Sequence, residues 1–461
     1  MTIKKKNIHK ILIFFLLSHT VIWTLVPSIS NNNLPLDVIE AIAWSEGWPL
    51  GWDKHPPLSS WFPGFFFIIF GNQDWIFYFL SQIFVVLSFF IVWKLSLDFF
   101  DNKIHSLISL FLLEGIYFYN FTTPEFNVNV CQLPFWSLTV YYCWKGIKKN
   151  NNLDWLLFGL FAALGVLSKY LFIYLLVAID IFFIYLIIKK KINWNCLISL
   201  STFFLILIPH FIWLHENNYI TLAYALSRTG AENLSYLNHL YHPFIFLIKQ
   251  IGILLPFFIM FLFVIKKFRI EFNFRDKKLL FLLIINLAPI ILIFLTSLLM
   301  GIKIRTMWMT PFYLFSGVLL IYIFQKQVNL KNLKYFFNIF LFLFLLSPAV
   351  YLYISLSYDD KRTDYPGRKI AEKIQNKWEE NFTNRIDFVI GDEWHAGNLS
   401  YHLESKPKWF SYSSAFEKMS IEKFLKLVED NGFIIVNGVC PGDLSVKIKI
   451  DNNKLCLYGK R

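Results

Sequence analysis

Apolar residues run along this chain in long blocks separated by short polar stretches. The blocks fall at about 11–28, 58–71, 75–97, 104–120, 126–145, 153–168, 170–188, 195–215, 245–265, 279–300, 304–324 and 335–356. Most are close to the roughly 20 residues that a helix needs to cross a bilayer. The block at 58–71 is shorter and follows Pro56 and Pro57. The weak alternation of an outer-membrane barrel is absent. The pattern predicts a polytopic α-helical membrane protein.

Beyond residue 356 the pattern changes. Short apolar runs at Asp387–Gly391, Phe433–Asn437 and Leu444–Ile450 read as strands. Helices are expected after Asp392 and near Ile421–Glu429. This is the pattern of a small soluble α/β domain. The expected division is a membrane domain over 1–356, with a first polar loop at 29–74, and a soluble domain over 357–461.

Composition agrees with this division. Of the 461 residues, 56% are hydrophobic and 16% charged, against about 25% charged in a soluble domain. The net charge is +13. Residues 1–356 carry 27 basic and 15 acidic side chains, whereas the tail is nearly balanced with 17 and 16. The excess therefore belongs to the membrane part. It reads as the Lys/Arg bias of cytoplasmic loops and not as a nucleic-acid surface.

Charge also sets the topology. With the basic N-terminus inside and 58–71 lying on the outer surface, the clusters at Lys94/Lys103, Lys145–Lys149, Lys189–Lys191, Lys266–Lys278 and Lys326–Lys334 all fall inside. That arrangement has about eleven spanning helices. The first loop, a turn at 121–125, a loop at 216–244 and the tail are then outside. Lys169, Lys303 and Arg305 sit at outer helix ends. The absence of an internal repeat weighs against a two-fold transporter architecture.

The first loop is the richest in chemistry. Asp37 and Glu40 share one helix face at i, i+3 spacing. Such acids could orient an acceptor hydroxyl or take its proton, or simply cap a solvated helix. Lys54-His55 precedes Pro56-Pro57, whose fixed backbone would aim both side chains.

These residues resemble the first loop of glycosyltransferase family 39. That family includes the protein O-mannosyltransferases and the bacterial lipid A aminoarabinose transferases. Asp37/Glu40, Lys54-His55-Pro56-Pro57-Leu58 and Trp61 carry the resemblance. It continues through Thr122-Thr123-Pro124-Glu125, with Glu replacing the family's Asp, and through Gly165-Val166-Leu167-Ser168-Lys169-Tyr170. Gln250-Ile251-Gly252 with Pro256, and Lys303-Ile304-Arg305 with Trp308 and Pro311, extend it to about residue 315.

The resemblance implies a GT-C fold: about eleven transmembrane helices with outer juxtamembrane helices, plus the soluble tail. It implies transfer of a sugar from a polyprenyl-phosphate donor, undecaprenyl phosphate in bacteria, to a lipid A, glycan or protein acceptor outside the cytoplasm, with inversion. Asp37 would be the catalytic acid or base, with Glu40 and Glu125 in support. Lys54, His55, Lys169, Lys303 and Arg305 would hold the donor phosphate, because basic groups at the lipid boundary stabilise a departing anion. The implied location is a bacterial inner membrane, with the N-terminus cytoplasmic and the tail extracytoplasmic. No metal site is assigned, although a divalent ion held by His55, His239, His242 and Glu40 is conceivable.

Two acids inside apolar blocks support a rival class. Glu114 and Asp180 would suit a transporter or lipid flippase with a proton relay. Cys131, Cys143 and Cys196 read as packing residues. Cys440 and Cys456 share the tail, where a disulfide is one option.

Overall fold

The computed structural model describes residues 7–230, 235–269, 273–411, 431–440, 445–450 and 453–461. Its helices are α1 (Ile8–Ser30), α2 (Leu36–Trp44), α3 (Leu58–Phe70), α4 (Asp74–Ser96), α5 (Lys103–Phe111), α6 (Val128–Lys149), α7 (Asn152–Ser168) and α8 (Ile173–Ile188). These are followed by α9 (Ile198–Glu216), α10 (Ile220–Arg228), α11 (Asn238–Leu262), α12 (Lys277–Met300), α13 (Ser316–Ile323), α14 (Leu333–Ser357), α15 (Gly367–Asn381) and α16 (His395–His402). The strands are β1 (Ile386–Ile390), β2 (Lys408–Phe410), β3 (Gly432–Val436), β4 (Val446–Ile450) and β5 (Asn453–Tyr458).

Seven of the described helical segments are long and apolar enough to cross a membrane. A bent pair, Thr306–Tyr313 with α13, makes an eighth at 53°. The protein is therefore a multi-pass membrane protein. The other three expected spans take less regular forms. The 104–120 block breaks after α5 into 3₁₀ turns at Leu112–Gly115 and Tyr117–Tyr119. α6 carries the polar Asn129, Gln132 and Ser137, all buried. α7 has 17 residues. α3, at 13 residues, is too short to cross at 1.5 Å per residue.

Chain contacts divide the protein into two compact units. The first comprises Met1–Val26, Leu50–Leu58 and Ser81–Tyr353. Its core is aromatic: Phe111 stacks on Phe340 with centroids 4.3 Å apart, and Trp136 lies against Phe312 at 4.9 Å. A polar network explains the break after α5. Glu114 Oε1 lies 2.8 Å from His19 Nδ1, and Asn120 Nδ2 donates to the Glu114 carbonyl at 2.9 Å. Thr123 Oγ1 then donates to the Asn120 carbonyl at 2.7 Å. These bonds replace the helical ladder that an apolar block would otherwise continue.

The second unit comprises Pro27–Pro49, Ser59–Leu80 and Ile354–Arg461. A five-stranded sheet of order β2-β1-β3-β5-β4 forms its centre. β1 pairs in parallel with β2 and β3, whereas β5 is antiparallel to both of its neighbours. A disulfide joins Cys440 to Cys456. The strands expected at 387–391, 433–437 and 444–450 are present within a residue or two. The helix expected near Ile421–Glu429 lies outside the described residues.

First-loop residues and tail residues share this second unit. Gly397 on α16 packs against α2 closely enough that a Cβ there would lie 3.1 Å from Ile39 Cγ2. Asn33 donates to Asn398 Oδ1 at 2.8 Å and accepts from His402 Nε2 at 2.8 Å. Tyr401 donates to Asp74 at 2.7 Å.

Candidate active site

Within the first unit, residues 50–58 of the first loop are clamped by two helices. His210 on α9 donates from Nδ1 to the Leu50 carbonyl at 2.6 Å, and its Nε2 accepts from the Tyr170 hydroxyl at 2.8 Å, a tautomer assigned from these partners. Thr221 on α10 donates to the Trp52 carbonyl at 2.6 Å. Gly51 rests so close to the Trp213 ring that any Cβ would collide with it. Trp52 then closes a tight turn, its N–H donating to the His55 carbonyl at 3.0 Å.

This turn presents Lys54 and His55. Burial and the positive charges of Lys169, Lys54 and Arg228 lower the His55 pKa to about 3. Burial and these cations therefore favour the neutral imidazole form of His55. The Tyr224 ring stands edge-on to it with centroids 6.2 Å apart.

Lys169 owes its position to the α7–α8 hairpin. The helix ends at Ser168, and Lys169 adopts an extended backbone at the C-cap, where the helix dipole favours a cation. Gly165 admits the Phe172 ring against the helix, so the hairpin folds tightly. The Lys169 side chain is buried, with Nζ 2.5 Å from Asn129 Oδ1 and 5.2 Å from the centroid of the Trp308 ring. Burying an ammonium is costly unless partners or a bound anion compensate.

Lys303 and Arg305 approach the same region through their neighbours. The Lys303 N–H donates to the Thr229 carbonyl at 3.1 Å, next to Arg228. Arg305 accepts at its carbonyl from the N–H of Trp308 at 3.0 Å. Neither cation is in an ion pair among the described residues. Of the residues expected to hold a phosphate, Lys54 and Lys169 act on His55, whereas Lys303 and Arg305 are linked to this region only through the backbone of Thr229 and Trp308.

Glu125 lies in the turn after the broken helix. Gln82 donates to Thr123 Oγ1 at 3.1 Å and Ser81 donates to the Thr123 carbonyl, fixing this turn against α4. Asn127 then caps α6, accepting from the N–H groups of Asn129 and Val130. Glu125 is therefore half-buried and four residues before the partner of Lys169.

Asp37 and Glu40 belong to the second unit. Both lie half-buried on α2, whose buried face is Val38, Ile39, Ala41, Ile42, Ala43 and Trp44. Pro35 opens the helix, and Asp37 falls in its first turn, where a carboxylate is favoured.

Among the described residues, no group of three or more His, Cys, Asp or Glu is gathered as a metal site needs. The divalent-ion set of His55, His239, His242 and Glu40 is therefore not assembled. His239 instead bonds the Leu298 carbonyl at 2.9 Å and packs on Gly301. Nor do the two intramembrane acids form a relay. Glu114 is held by His19 and Asn120, while Asp180 borders a separate cavity of about 500 Å³ lined by Phe158, Phe183 and Phe203.

Asn129, His210 and Thr221 were not legible as site residues. Each is a polar residue in or beside an apolar helix, which is the one signal that singles them out.

Comparison with known proteins agrees with this architecture. Residues 54–213 match the family described as dolichyl-phosphate-mannose-protein mannosyltransferase. The fold matches the crystal structure of ArnT from Cupriavidus metallidurans in the apo state, with TM-score 0.59 and 11% identity over 97% of this chain and 98% of that one. The same protein bound to undecaprenyl phosphate matches with TM-score 0.56 and 11% identity, over 96% and 97% of the two chains. No curated protein matches the chain by sequence. The chain therefore has the fold of ArnT, and its residues 54–213 resemble a mannosyltransferase family.

Proposed function

We propose that this protein transfers a sugar from a polyprenyl-phosphate donor to an acceptor on the extracytoplasmic face of a bacterial inner membrane. The observation that carries this reading is the buried Lys169, gathered with Lys54 and Arg228 around the neutral His55. Such a cluster is built for a compact anion at a lipid boundary. The undecaprenyl phosphate seen in ArnT supports a donor of the same class here.

The chemistry is a direct displacement at the anomeric carbon. The acceptor oxygen attacks and the bond to the phosphate oxygen breaks, inverting the configuration. Asp37 takes the proton of the attacking hydroxyl. The electron pair of the broken bond leaves with the lipid phosphate, and Lys54, Lys169, Lys303 and Arg305 stabilise the charge that develops there. His55, being neutral, contributes a hydrogen bond. Glu40 and Glu125 orient the acceptor. The acceptor is a lipid such as lipid A, a glycan or a protein.

The outward orientation rests on the basic inner loops. The Cys440–Cys456 disulfide supports it, since such bonds persist in oxidising compartments. The test is to incubate the purified protein with a panel of radiolabelled polyprenyl-phosphate sugars and measure release of lipid phosphate. Release from at least one donor is expected. No release from any, by folded protein supplied with lipid, glycan and peptide acceptors, would contradict the reading.

A further inference from the structure

A recess of about 560 Å³ lies within the first unit, between the α6–α7 and α8–α9 connections. Lys190, Lys191, Asn150 and Asn193 supply its polar groups, and no acidic side chain lines it. The amide oxygens are already engaged. Asn150 Oδ1 accepts from Trp155 Nε1 at 3.4 Å, and Asn193 Oδ1 accepts from the Asn195 N–H at 3.2 Å. The amide NH2 groups and the two ammonium groups remain, so the recess offers donors and positive charge. Neither lysine is in an ion pair among the described residues.

Lys190 holds its place against a backbone preference. Its N–H donates to the Ile187 carbonyl at 2.9 Å, and the Lys191 N–H donates to the Leu186 carbonyl at 2.8 Å. This is the helix stop at which glycine is the usual residue. Lys190 adopts it with a φ of 52°, in the left-handed region, where a side chain brings strain.

The recess adjoins the cavity beside Asp180, for Lys190, Ile192 and Trp194 line both. Phe158, Phe183, Leu200 and Phe203 wall that cavity of about 500 Å³. Asp180 borders it eight residues before the end of α8. The two ends therefore differ in sign. Cations at Lys190 and Lys191 attract an anion, whereas the carboxylate further along the helix repels one and leaves the aromatic interior to an uncharged chain.

We infer that the recess and cavity together bind an anionic phospholipid of the leaflet opposite the proposed donor site, with its phosphate at Lys190 and Lys191 and an acyl chain along Phe158, Phe183 and Phe203. Basic pockets between helix ends take such headgroups, and a free anion would leave the aromatic cavity unfilled. The lipid is a bound partner and not a substrate. Lys169 and Lys190 stand beyond opposite ends of α8, and Ile173 to Ile188 covers about 22 Å at 1.5 Å per residue. The leaflet assignment rests on the proposed donor site; the binding itself does not.

The test uses the full-length protein in phosphatidylcholine nanodiscs doped with diazirine-tailed phosphatidylglycerol or diazirine-tailed phosphatidylcholine. Phosphatidylglycerol should label peptides containing Phe158, Phe183 or Phe203. Unlabelled phosphatidylglycerol should displace it, whereas inorganic phosphate and undecaprenyl phosphate should not. Lys190→Gly keeps the helix stop and relieves its strain, so this variant should fold at least as well as the wild type while labelling falls about ten-fold, as loss of one charged contact implies. Lys191→Gln should lower labelling by a similar factor. Equal labelling by phosphatidylcholine would show ordinary boundary lipid. Displacement by inorganic phosphate would show a free-anion site, and displacement by undecaprenyl phosphate a site for the donor lipid. Each of these results overturns the inference, as does unchanged labelling in both lysine variants. Labelling requires no turnover, so its outcome is separate from whether sugar transfer is observed.

Discussion

The Lys169 amine lies 2.5 Å from Asn129 Oδ1, joining the tip of the α7–α8 hairpin to the first turn of α6. A buried ammonium suits a charge-assisted contact with an anion, and the proposed anion is the phosphate of a lipid-linked sugar.

Lys169→Ala and Arg305→Ala should each weaken use of the donor. Loss of one charge-assisted contact costs roughly 1.5–3 kcal/mol, or about ten- to a hundred-fold in kcat/KM. Steady-state kinetics at limiting donor measure this effect. Wild-type values in folded variants would make both residues helix-end anchors that merely reach the interface.

His402 gives the second unit a pH dependence. Burial and the nearby Arg368 lower its pKa to about 4 from the unfolded value of 6.5. The unfolded chain thus binds the proton more readily, and stability falls as pH drops from 6.5 through 4. The loss below pH 4 is up to about 3 kcal/mol. Amide exchange in α16 should accelerate over this window, and His402→Gln, which can still donate to Asn33, should flatten the profile. A flat wild-type profile would contradict the assignment.

Much of this was legible in the sequence, for identifiable reasons. The long spans follow from apolar block length alone, and three of the five described tail strands follow from short β-branched runs, whereas β2 and β5 were not read from the sequence. Lys54, His55 and Lys169 were singled out by ordered motifs, and the structure brings Lys54 and Lys169 close enough to His55 to act on it electrostatically. Three features were hidden. The helix expected at 104–120 breaks because His19, distant in sequence, captures Glu114. α2 shares a unit with α16 because Gly397 permits close approach to Ile39, a tertiary fact with no local signal. His210 clamps Leu50 from 160 residues away.

The disulfide gives the topology a redox-dependent signature. A membrane-impermeant thiol reagent applied to intact spheroplasts should label the half-buried Cys440 only after reduction, and the buried Cys456 as well once the reduced tail is unfolded. Cys131, Cys143 and Cys196 are buried and should stay unlabelled in both conditions. Protection of Cys440 even after reduction would place the second unit in the cytoplasm.

The most direct test of the account is sugar transfer by Asp37→Asn measured beside Asp180→Asn. The first change keeps the size of the side chain and removes its ability to take a proton. Positioned acid–base groups contribute about 10²–10⁴-fold, so turnover of Asp37→Asn should fall by that order while donor binding persists. Asp180→Asn should remain close to wild type, because its carboxylate borders a separate cavity among aromatic side chains. An active Asp37→Asn enzyme, or loss of transfer in Asp180→Asn alone, would contradict the central claim.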